Sequence, residues 1–313
     1  MKLSVHLAII QQSAVHLDLK KSMQKATTLI QEASAKGAEL IVFGETWLSG
    51  YPVWLDHCPE IGLWNHQPMK EVFALMHQNS VEVGGNETTL LGQLAKEHQV
   101  TIVIGVNEIV KRGPGNGTIY NALLIFDEKG NLVCHRRKLM PTFTERLVHG
   151  IGDAKDLNAV DTAVGRIGGM ICWEHWMPLT RMAMHNSGEH IHFALFPMVH
   201  EMHQVTCRQY AFEGRCFVIG VGQVMRASDF PKQLKLPKHL QKEKSTMVLN
   251  GNSCVIAPDG SFDLVPQTSV EETIHFEIKN MNRIYEERLS LDVSGHYNRS
   301  DIFDFKVRES KRE

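Results

Sequence analysis

The stretch GGMICWEHWMP, residues 168 to 178, guides the interpretation of the whole chain. It begins with glycines and apolar residues and changes at Cys172 to aromatic and ionisable ones, which is typical of a buried strand that ends in a loop. Pro178 suits the first turn of a following helix. Cys172 is therefore either a small core residue, as most free cysteines are, or a nucleophile placed at the strand end.

Length and composition limit the class of protein. The chain has 313 residues, 22% of them charged and 43% apolar, as in globular proteins with a sizeable core. Lys plus Arg number 33 against 35 for Asp plus Glu, and this balance gives no support for a nucleic-acid or membrane partner. The six cysteines show no CxxC spacing, so we expect reduced thiols and a cytoplasmic location.

Hydrophobic periodicity predicts alternating strands and helices. Apolar residues from Leu19 to Ala33 recur at steps of three and four, and Gly37 follows as a stop. Further helices are predicted at 87–98, 178–187 and 202–215, and strands at 3–10, 38–43, 100–106, 119–126, 132–136, 165–172, 191–196, 217–222, 253–257 and 262–265. This order favours an α/β fold of mixed sheets covered by helices, in one domain of stacked layers.

Three segments are expected to lie outside regular elements. Residues 50 to 70 contain several prolines and few periodic positions, which indicates a long ordered loop used for binding. Residues 226 to 245 are rich in Lys and Pro and indicate a mobile surface insertion. The last thirty or so residues have little periodicity and end in a charged run, Lys306 to Glu313, which we expect to be solvated.

Three sequence contexts each place a reactive side chain just past a predicted strand. FGETWLSGYP at residues 43 to 52 contains Glu45, HRRKLMPTFTER at residues 135 to 146 contains Lys138, and the third context contains Cys172. Strand ends are where open sheets usually hold ligand groups. Taken singly, Glu45 fits a surface carboxylate and Lys138 a solvated basic face. Surface placement does not account for the three contexts together.

These contexts resemble the Glu, Lys and Cys motifs of the nitrilase, or carbon–nitrogen hydrolase, superfamily. GHYNRSDIF at residues 295 to 303 is also similar to the C-terminal signature of true nitrilases. The resemblance implies a four-layer α-β-β-α sandwich over residues 1–280, followed by a C-terminal extension, residues 281–313, at a subunit interface. It further implies a homodimer or larger homo-oligomer in which subunits stack across a helical interface.

The resemblance also implies roles for individual residues. Cys172 would be the nucleophile, Glu45 the general base, Lys138 the electrostatic partner and Glu145 the second glutamate, which orients the lysine. The backbone N–H of Trp173 would help to hold developing charge. These residue types suit the chemistry, because a carboxylate raises a thiol pKa above its usual value of about 8.5 and a nearby ammonium offsets that effect. No metal or organic cofactor is needed.

The expected reaction converts an organic nitrile and water to a carboxylic acid and ammonia through a thioimidate and a thioester on the cysteine. Trp173-Glu174 after the cysteine resembles nitrilases more than aliphatic amidases. Three alternatives stay open: an aliphatic amidase or N-carbamoyl hydrolase with the same triad, a cyanide-hydrolysing relative, and a catalytically silent oligomeric binding module.

Two further features were weighed for binding roles. Trp54 and Trp173 lie near the motifs in sequence and are candidates for lining an apolar substrate pocket, although core packing is the commoner role. His200 and His203 are three residues apart rather than four as in HExxH, so we expect no zinc helix there.

Overall fold

The protein is built from two β-sheets and the helices that cover them. The structure, a computed structural model, describes residues 2–308. The strands are β1 (Val5–Gln11), β2 (Leu40–Phe43), β3 (Thr101–Ile109), β4 (Ile119–Phe126), β5 (Leu132–Arg137), β6 (Val160–Thr162), β7 (Gly165–Ile171), β8 (Ile191–Leu195), β9 (Phe217–Val221), β10 (Val224–Arg226), β11 (Met247–Ile256), β12 (Phe262–Thr268) and β13 (Glu272–Ile278). The α-helices are α1 (Leu19–Ala35), α2 (Trp54–His57), α3 (Gln67–Gln78), α4 (Asn86–His98), α5 (Pro178–Asn186), α6 (Glu201–Gly214), α7 (Lys238–Gln241) and α8 (Arg283–Arg288).

Both sheets are mixed, as the alternation of strands and helices predicts. The first has the order β13-β1-β2-β3-β4-β5, with β1, β2 and β3 parallel and the other neighbours antiparallel. The second has the order β10-β11-β9-β8-β7-β6, with β12 also paired to β11, and here β7, β8 and β9 are parallel. The parallel strands at the centre of each sheet are connected through helices, because a parallel pair requires a crossover.

The pleat of each strand separates two hydrophobic layers. Val5, Leu7 and Ile9 of β1 lie in the core shared by the two sheets, whereas Ala8 and Ile10 face the layer that contains α1 and α4. The second sheet packs in the same way against α5 and α6, whose apolar residues join its core. The layers therefore follow the order helices, sheet, sheet, helices.

Several elements match the sequence predictions closely. The β4–β5 hairpin turns through Asp127, whose side chain accepts hydrogen bonds from the backbone N–H groups of Lys129 and Asn131. Helix α1 buries Leu19, Met23 and equivalent positions, and its first turn is capped by the Asp18 side chain, which accepts from the Lys21 N–H at 3.0 Å.

Two predictions about irregular segments are wrong in part. Residues 50 to 70 include the one-turn helix α2 and the start of α3, a helix with so few buried positions that its periodicity is weak. Residues 226 to 245 are anchored to the core, because Phe230, Leu234 and Leu240 are buried in a hydrophobic cluster with Tyr51, although residues 241–245 are exposed as predicted. Burial of three large apolar side chains stabilises the position of this segment, even though its Lys and Pro content is typical of a mobile one.

The C-terminal part of the chain also contains structure that the sequence pattern does not predict. Strand β13 pairs antiparallel with β1, and Ile284 of α8 is buried. Lys306 is exposed, as expected of the charged run, but residues 309–313 of that run lie outside the described residues. Within residues 2–308, none of the helices is long and apolar enough to cross a membrane.

Candidate active site

The strand ends bring Glu45 and Lys138 into direct contact. Glu45 follows β2, Lys138 follows β5, and both are buried beneath a cleft between loops of the two sheets. The Lys138 Nζ lies 2.9 Å from Glu45 Oε1 and 2.8 and 2.7 Å from the two carboxylate oxygens of Glu145. The lysine ammonium thus bridges two carboxylates, and the orienting role of Glu145 stays a prediction.

Neighbouring polar groups fix the orientation of both carboxylates. Asn121 Nδ2 donates to Glu45 Oε1 at 2.7 Å, and Tyr51 Oη donates to Glu145 Oε1 at 2.8 Å. The Gln223 side-chain amide donates to the backbone carbonyl of Glu45. Glu45 Oε2 is buried and has no hydrogen-bond partner within residues 2–308, so this oxygen is available to accept a proton.

Burial and charge set the protonation states of the site. Burial raises the pKa of Glu45 to about 7, although Lys138 opposes the shift. Burial by itself would lower the pKa of Lys138, but Glu45 and the other acidic groups around it hold that pKa well above its usual value. Burial opposes ionisation of Glu145, yet Lys138 keeps the pKa of Glu145 below its usual range. The lysine is therefore an ammonium, and Glu45 is the carboxyl that titrates near neutral pH.

Cys172 enters the site on a strained turn. It directly follows β7, starts the 3-10 turn Cys172–Trp176, and has a left-handed backbone with φ of +52°. A non-glycine residue in this region costs on the order of 1–3 kcal/mol unless its surroundings hold it. Burial, and then the nearby Glu45 carboxylate, raise the pKa of Cys172 well above that of a free thiol. At neutral pH the residue is a protonated thiol beside a carboxyl base.

A buried carboxylate, Glu174, connects the cysteine turn to the lysine strand. Its oxygens accept two hydrogen bonds of 2.6 Å each from Arg136, and one each of 2.7 Å from the backbone N–H groups of Leu139 and Ile171. Leu139 follows Lys138 and Ile171 precedes Cys172. We call Glu174 with these partners the Glu174 clamp, since one carboxylate holds the neighbours of both reactive residues.

The sequence contains a signal for the Glu174 clamp that the sequence prediction missed. Cys134, Arg136 and Lys138 alternate along β5 and its end, and all three are buried, whereas the intervening His135 and Arg137 are only half-buried. Period-two alternation places such residues on one face of a strand. A buried arginine on the interior face requires a buried carboxylate partner.

The cleft above these residues has a volume of about 940 Å³ and a mostly apolar wall. Cys172, Glu145 and Tyr51 are at its base, and Trp173, 56% exposed, forms part of the wall with Phe143 and Met202. Trp173 is therefore placed to contact a substrate. Trp54 is completely buried and does not line the cleft. Val53 and Leu55 do line it, and Trp54 packs with them in the hydrophobic cluster behind the wall.

The two histidines of the HEMH segment also line the cleft. His203 Nδ1 lies 3.0 Å from the Met198 carbonyl oxygen, and its ring stacks on Phe196 with 4.3 Å between centroids. His203 lies in the first turn of α6, and His200 is the N-cap residue of that helix. Within the part of the chain that the structure describes, no three His, Cys, Asp or Glu side chains are grouped so as to hold a metal ion.

Comparison with known proteins shows which family the chain belongs to. The family model described as Carbon-nitrogen hydrolase matches residues 6–284, most of the chain. The chain belongs to the carbon–nitrogen hydrolase family. As a member of this family, the protein is an enzyme that hydrolyses carbon–nitrogen bonds.

Relatives of this carbon–nitrogen hydrolase are similar over almost their full length. One, named Nitrilase 2 and from an unknown prokaryotic organism, is 36% identical over 310 residues, which are 98% of this chain and 94% of the relative. A bifunctional nitrilase/nitrile hydratase of Nicotiana tabacum is 32% identical over 311 residues, with 98% of this chain and 86% of the relative covered.

A solved structure supports the fold at lower sequence identity. The carbon–nitrogen hydrolase of Helicobacter pylori G27 superposes with a TM-score of 0.67 at 20% identity, over 96% of this chain and 97% of that one. The four-layer α-β-β-α sandwich expected from the sequence resemblance is confirmed by this likeness and by the two sheets described above.

Proposed function

We propose that this carbon–nitrogen hydrolase is a nitrilase, which converts an organic nitrile to its carboxylic acid and ammonia. The observation that carries the proposal is the Lys138 ammonium held between Glu45 and Glu145 at the base of the cleft that contains Cys172. Relatives with nitrilase in their names support the same reaction class.

The first step of the proposed reaction forms a carbon–sulfur bond. The Cys172 thiol gives its proton to Glu45, whose free Oε2 accepts it, and the sulfur attacks the nitrile carbon. The electron pair of one C–N π bond moves to nitrogen, where the Lys138 ammonium stabilises it. Transfer of the proton from Glu45 to that nitrogen leaves a thioimidate on Cys172 and restores the Glu45 carboxylate.

Two water molecules complete the proposed reaction. Glu45 takes a proton from the first water, whose oxygen adds to the thioimidate carbon and gives a tetrahedral species. Protonation of nitrogen and cleavage of the C–N bond release ammonia and leave a thioester. The second water, activated in the same way, breaks the C–S bond to give the carboxylic acid and the free thiol.

The partition between acid and amide depends on the charge at the tetrahedral nitrogen. Positive charge retained on nitrogen favours departure of ammonia, whereas loss of the C–S bond first would release an amide. Glu145 helps to keep Lys138 charged and close to the site. A lysine that is already protonated cannot remove a proton from the substrate nitrogen. We therefore propose acid as the main product and the corresponding amide as a poor substrate.

Substitution of the nucleophile tests the proposal. Cys172→Ala should reduce acid and ammonia release from a panel of aliphatic and arylaliphatic nitriles to below about 1% of wild type, because the covalent step is lost. Cys58→Ala is the matched control, since Cys58 is also buried but does not line the cleft. Full activity in Cys172→Ala would overturn the proposal, and amide hydrolysis without nitrile turnover by the wild type would identify an amidase.

We also propose that the chain works as a homodimer or larger homo-oligomer in the cytoplasm, with residues 281–313 at a subunit interface. Exposed apolar residues on α5 and α6, among them Leu179 and Phe212, and Leu289 in the extension support the assembly. The free thiol state of the six cysteines supports a reducing compartment. Light scattering would give the mass of the assembly and hence the number of subunits. A deletion of residues 289–313 should reduce the number of subunits if the extension contributes to the interface.

A further inference from the structure

A chain of buried ionisable groups runs from the Cys172 backbone into the outer helical layer. His175 Nδ1 lies 2.7 Å from the Cys172 carbonyl oxygen, and His175 Nε2 lies 3.0 Å from His192 Nε2. His192 Nδ1 in turn lies 2.8 Å from Glu189 Oε1, and the Tyr210 hydroxyl donates to Glu189 Oε2. We call these four side chains the histidine relay. All of them are buried, and none is used in the reaction steps above.

The donors and acceptors of the histidine relay can be assigned by counting protons. A carbonyl oxygen only accepts, so His175 Nδ1 must carry the proton that it shares with Cys172. Burial lowers the pKa of His175 and of His192 well below the usual value, so both rings are neutral. His175 Nε2 is then an acceptor, which requires the proton on His192 Nε2. His192 Nδ1 is then also an acceptor, and only a protonated Glu189 can donate to it.

The environment of Glu189 agrees with this count. Burial raises the pKa of Glu189 to about 8, against the opposing effects of the Tyr210 hydroxyl on α6, His185 on α5 and Arg136 on β5. Glu189 is also hydrogen-bonded to His192 on β8, and its charge acts on the buried Cys216 thiol, which lies between α6 and β9. A neutral carboxylic acid at pH 7 therefore satisfies every donor and acceptor along the relay.

We propose that His175 is a positioning residue for the nucleophile, and that the histidine relay fixes it in the tautomer that hydrogen-bonds the Cys172 carbonyl. The inference rests on the proposed function of Cys172. The hydrogen bond holds the carbonyl of a residue with a left-handed backbone, and so sets the direction in which the thiol projects.

Ionisation of Glu189 would reverse the relay. A Glu189 carboxylate only accepts, so His192 Nδ1 must take the proton and His192 Nε2 becomes an acceptor. His175 Nε2 must then donate, which leaves His175 Nδ1 with a lone pair that faces the Cys172 carbonyl oxygen. The positioning hydrogen bond is lost through one proton at the far end of the relay. Loss of activity should therefore accompany Glu189 ionisation as the pH rises.

Two substitutions of His175 test the positioning role. His175→Phe keeps the ring but removes the donor, and kcat should fall about tenfold or more with little change in KM. His175→Asn restores an N–H at the position of Nδ1, and should recover most of that loss. His275→Gln is the matched control, because His275 lies on β13 of the other sheet, where its ring packs against His6, and it should leave kcat unchanged. Equal kcat in the Phe and Asn variants would overturn the inference.

Glu189→Gln tests the protonation state and stays informative if His175→Phe does not fold. A glutamine amide donates to His192 and accepts from Tyr210, as the acid does, but it does not ionise. Wild-type kcat should fall about threefold or more between about pH 8 and pH 9.5, above the Glu45 titration, whereas the Glu189→Gln value should stay nearly level. Parallel profiles would overturn the inference.

A second readout separates failure of this inference from failure of the proposed function. The rate of Cys172 alkylation by iodoacetamide requires no nitrile turnover, and it should follow the same order of variants at fixed pH. An inactive wild type whose alkylation still follows that order would reject the nitrilase proposal and retain the relay. An active wild type whose alkylation and kcat ignore the His175 substitutions would do the reverse.

Discussion

Arg136→Leu should destabilise the protein strongly, because it leaves the Glu174 carboxylate buried without its cation. Both side chains of the pair are about 1% exposed, and their two hydrogen bonds measure 2.6 Å. Breaking a pair of this kind costs about 3–5 kcal/mol, since one uncompensated charge remains in the interior. Two backbone donors still contact Glu174, so we expect the lower half of that range.

This loss of free energy of unfolding can be converted to a fall in melting temperature. An unfolding entropy of about 2.1 cal/mol/K per residue gives about 0.7 kcal/mol/K for a chain of this length, so a loss of about 3–4 kcal/mol corresponds to a fall of about 5–6 °C. Differential scanning calorimetry measures the shift. Arg137→Leu is the matched control, because its partner Glu108 also lies 2.9 Å from His135 Nε2 and keeps that contact.

The Arg136→Leu variant should also lose activity at temperatures where it is still folded. The Glu174 clamp holds the neighbours of Lys138 and Cys172, so its disturbance changes the separation of those two residues. We expect kcat to fall about tenfold or more at a temperature where the variant is folded. A melting temperature of Arg136→Leu within about 1 °C of wild type would refute the reasoning, because breaking a buried ion pair should lower it by several degrees.

Three further predictions concern the reactive groups themselves. Cys172 should be alkylated by iodoacetamide before the other five cysteines, and a nitrile should protect it, because it lines the cleft; equal labelling on peptide mapping would count against this. The value of kcat/KM should rise with pH through the Glu45 pKa of about 7, since the carboxylate is the active form, and a rate independent of pH from about 5 to 8 would exclude Glu45 as base. Lys138→Met should lower kcat about a hundredfold or more and also reduce stability, because two buried carboxylates lose their shared cation; kinetics and calorimetry check both, and an active variant would remove the lysine from the mechanism.

The sequence predicts best where one local pattern decides the structure. The β4–β5 hairpin, and with it the strand-end position of Lys138, follows from turn residues, and α1 follows from periodicity. The strand-end positions of Glu45 and Cys172 follow from apolar runs. Helix α3 has few buried positions and β13 is exposed along much of one side, so neither has a clear period. Their structure depends on packing against distant parts of the chain.

Supporting residues are harder to predict than reactive ones because their partners are remote in sequence. Glu174 contacts Arg136 across 38 positions and Tyr51 contacts Glu145 across 94. The adjacent letters of CWEHW give no indication that Glu174 and His175 face different partners on either side of Cys172. Trp54 shows the opposite error, since its closeness to a motif in sequence suggests a pocket residue and the fold buries it behind the wall.

The covalent intermediate gives the most direct test of the central claim that Cys172 attacks a nitrile carbon. Wild-type enzyme mixed with excess nitrile, quenched in acid within milliseconds and analysed by intact-mass spectrometry should carry an added mass equal to the thioimidate or the thioester. Proteolysis should place the adduct on the peptide that contains Cys172, and Cys172→Ala should carry none. Acid formation by the wild type with no adduct, or with an adduct on another residue, would contradict the account.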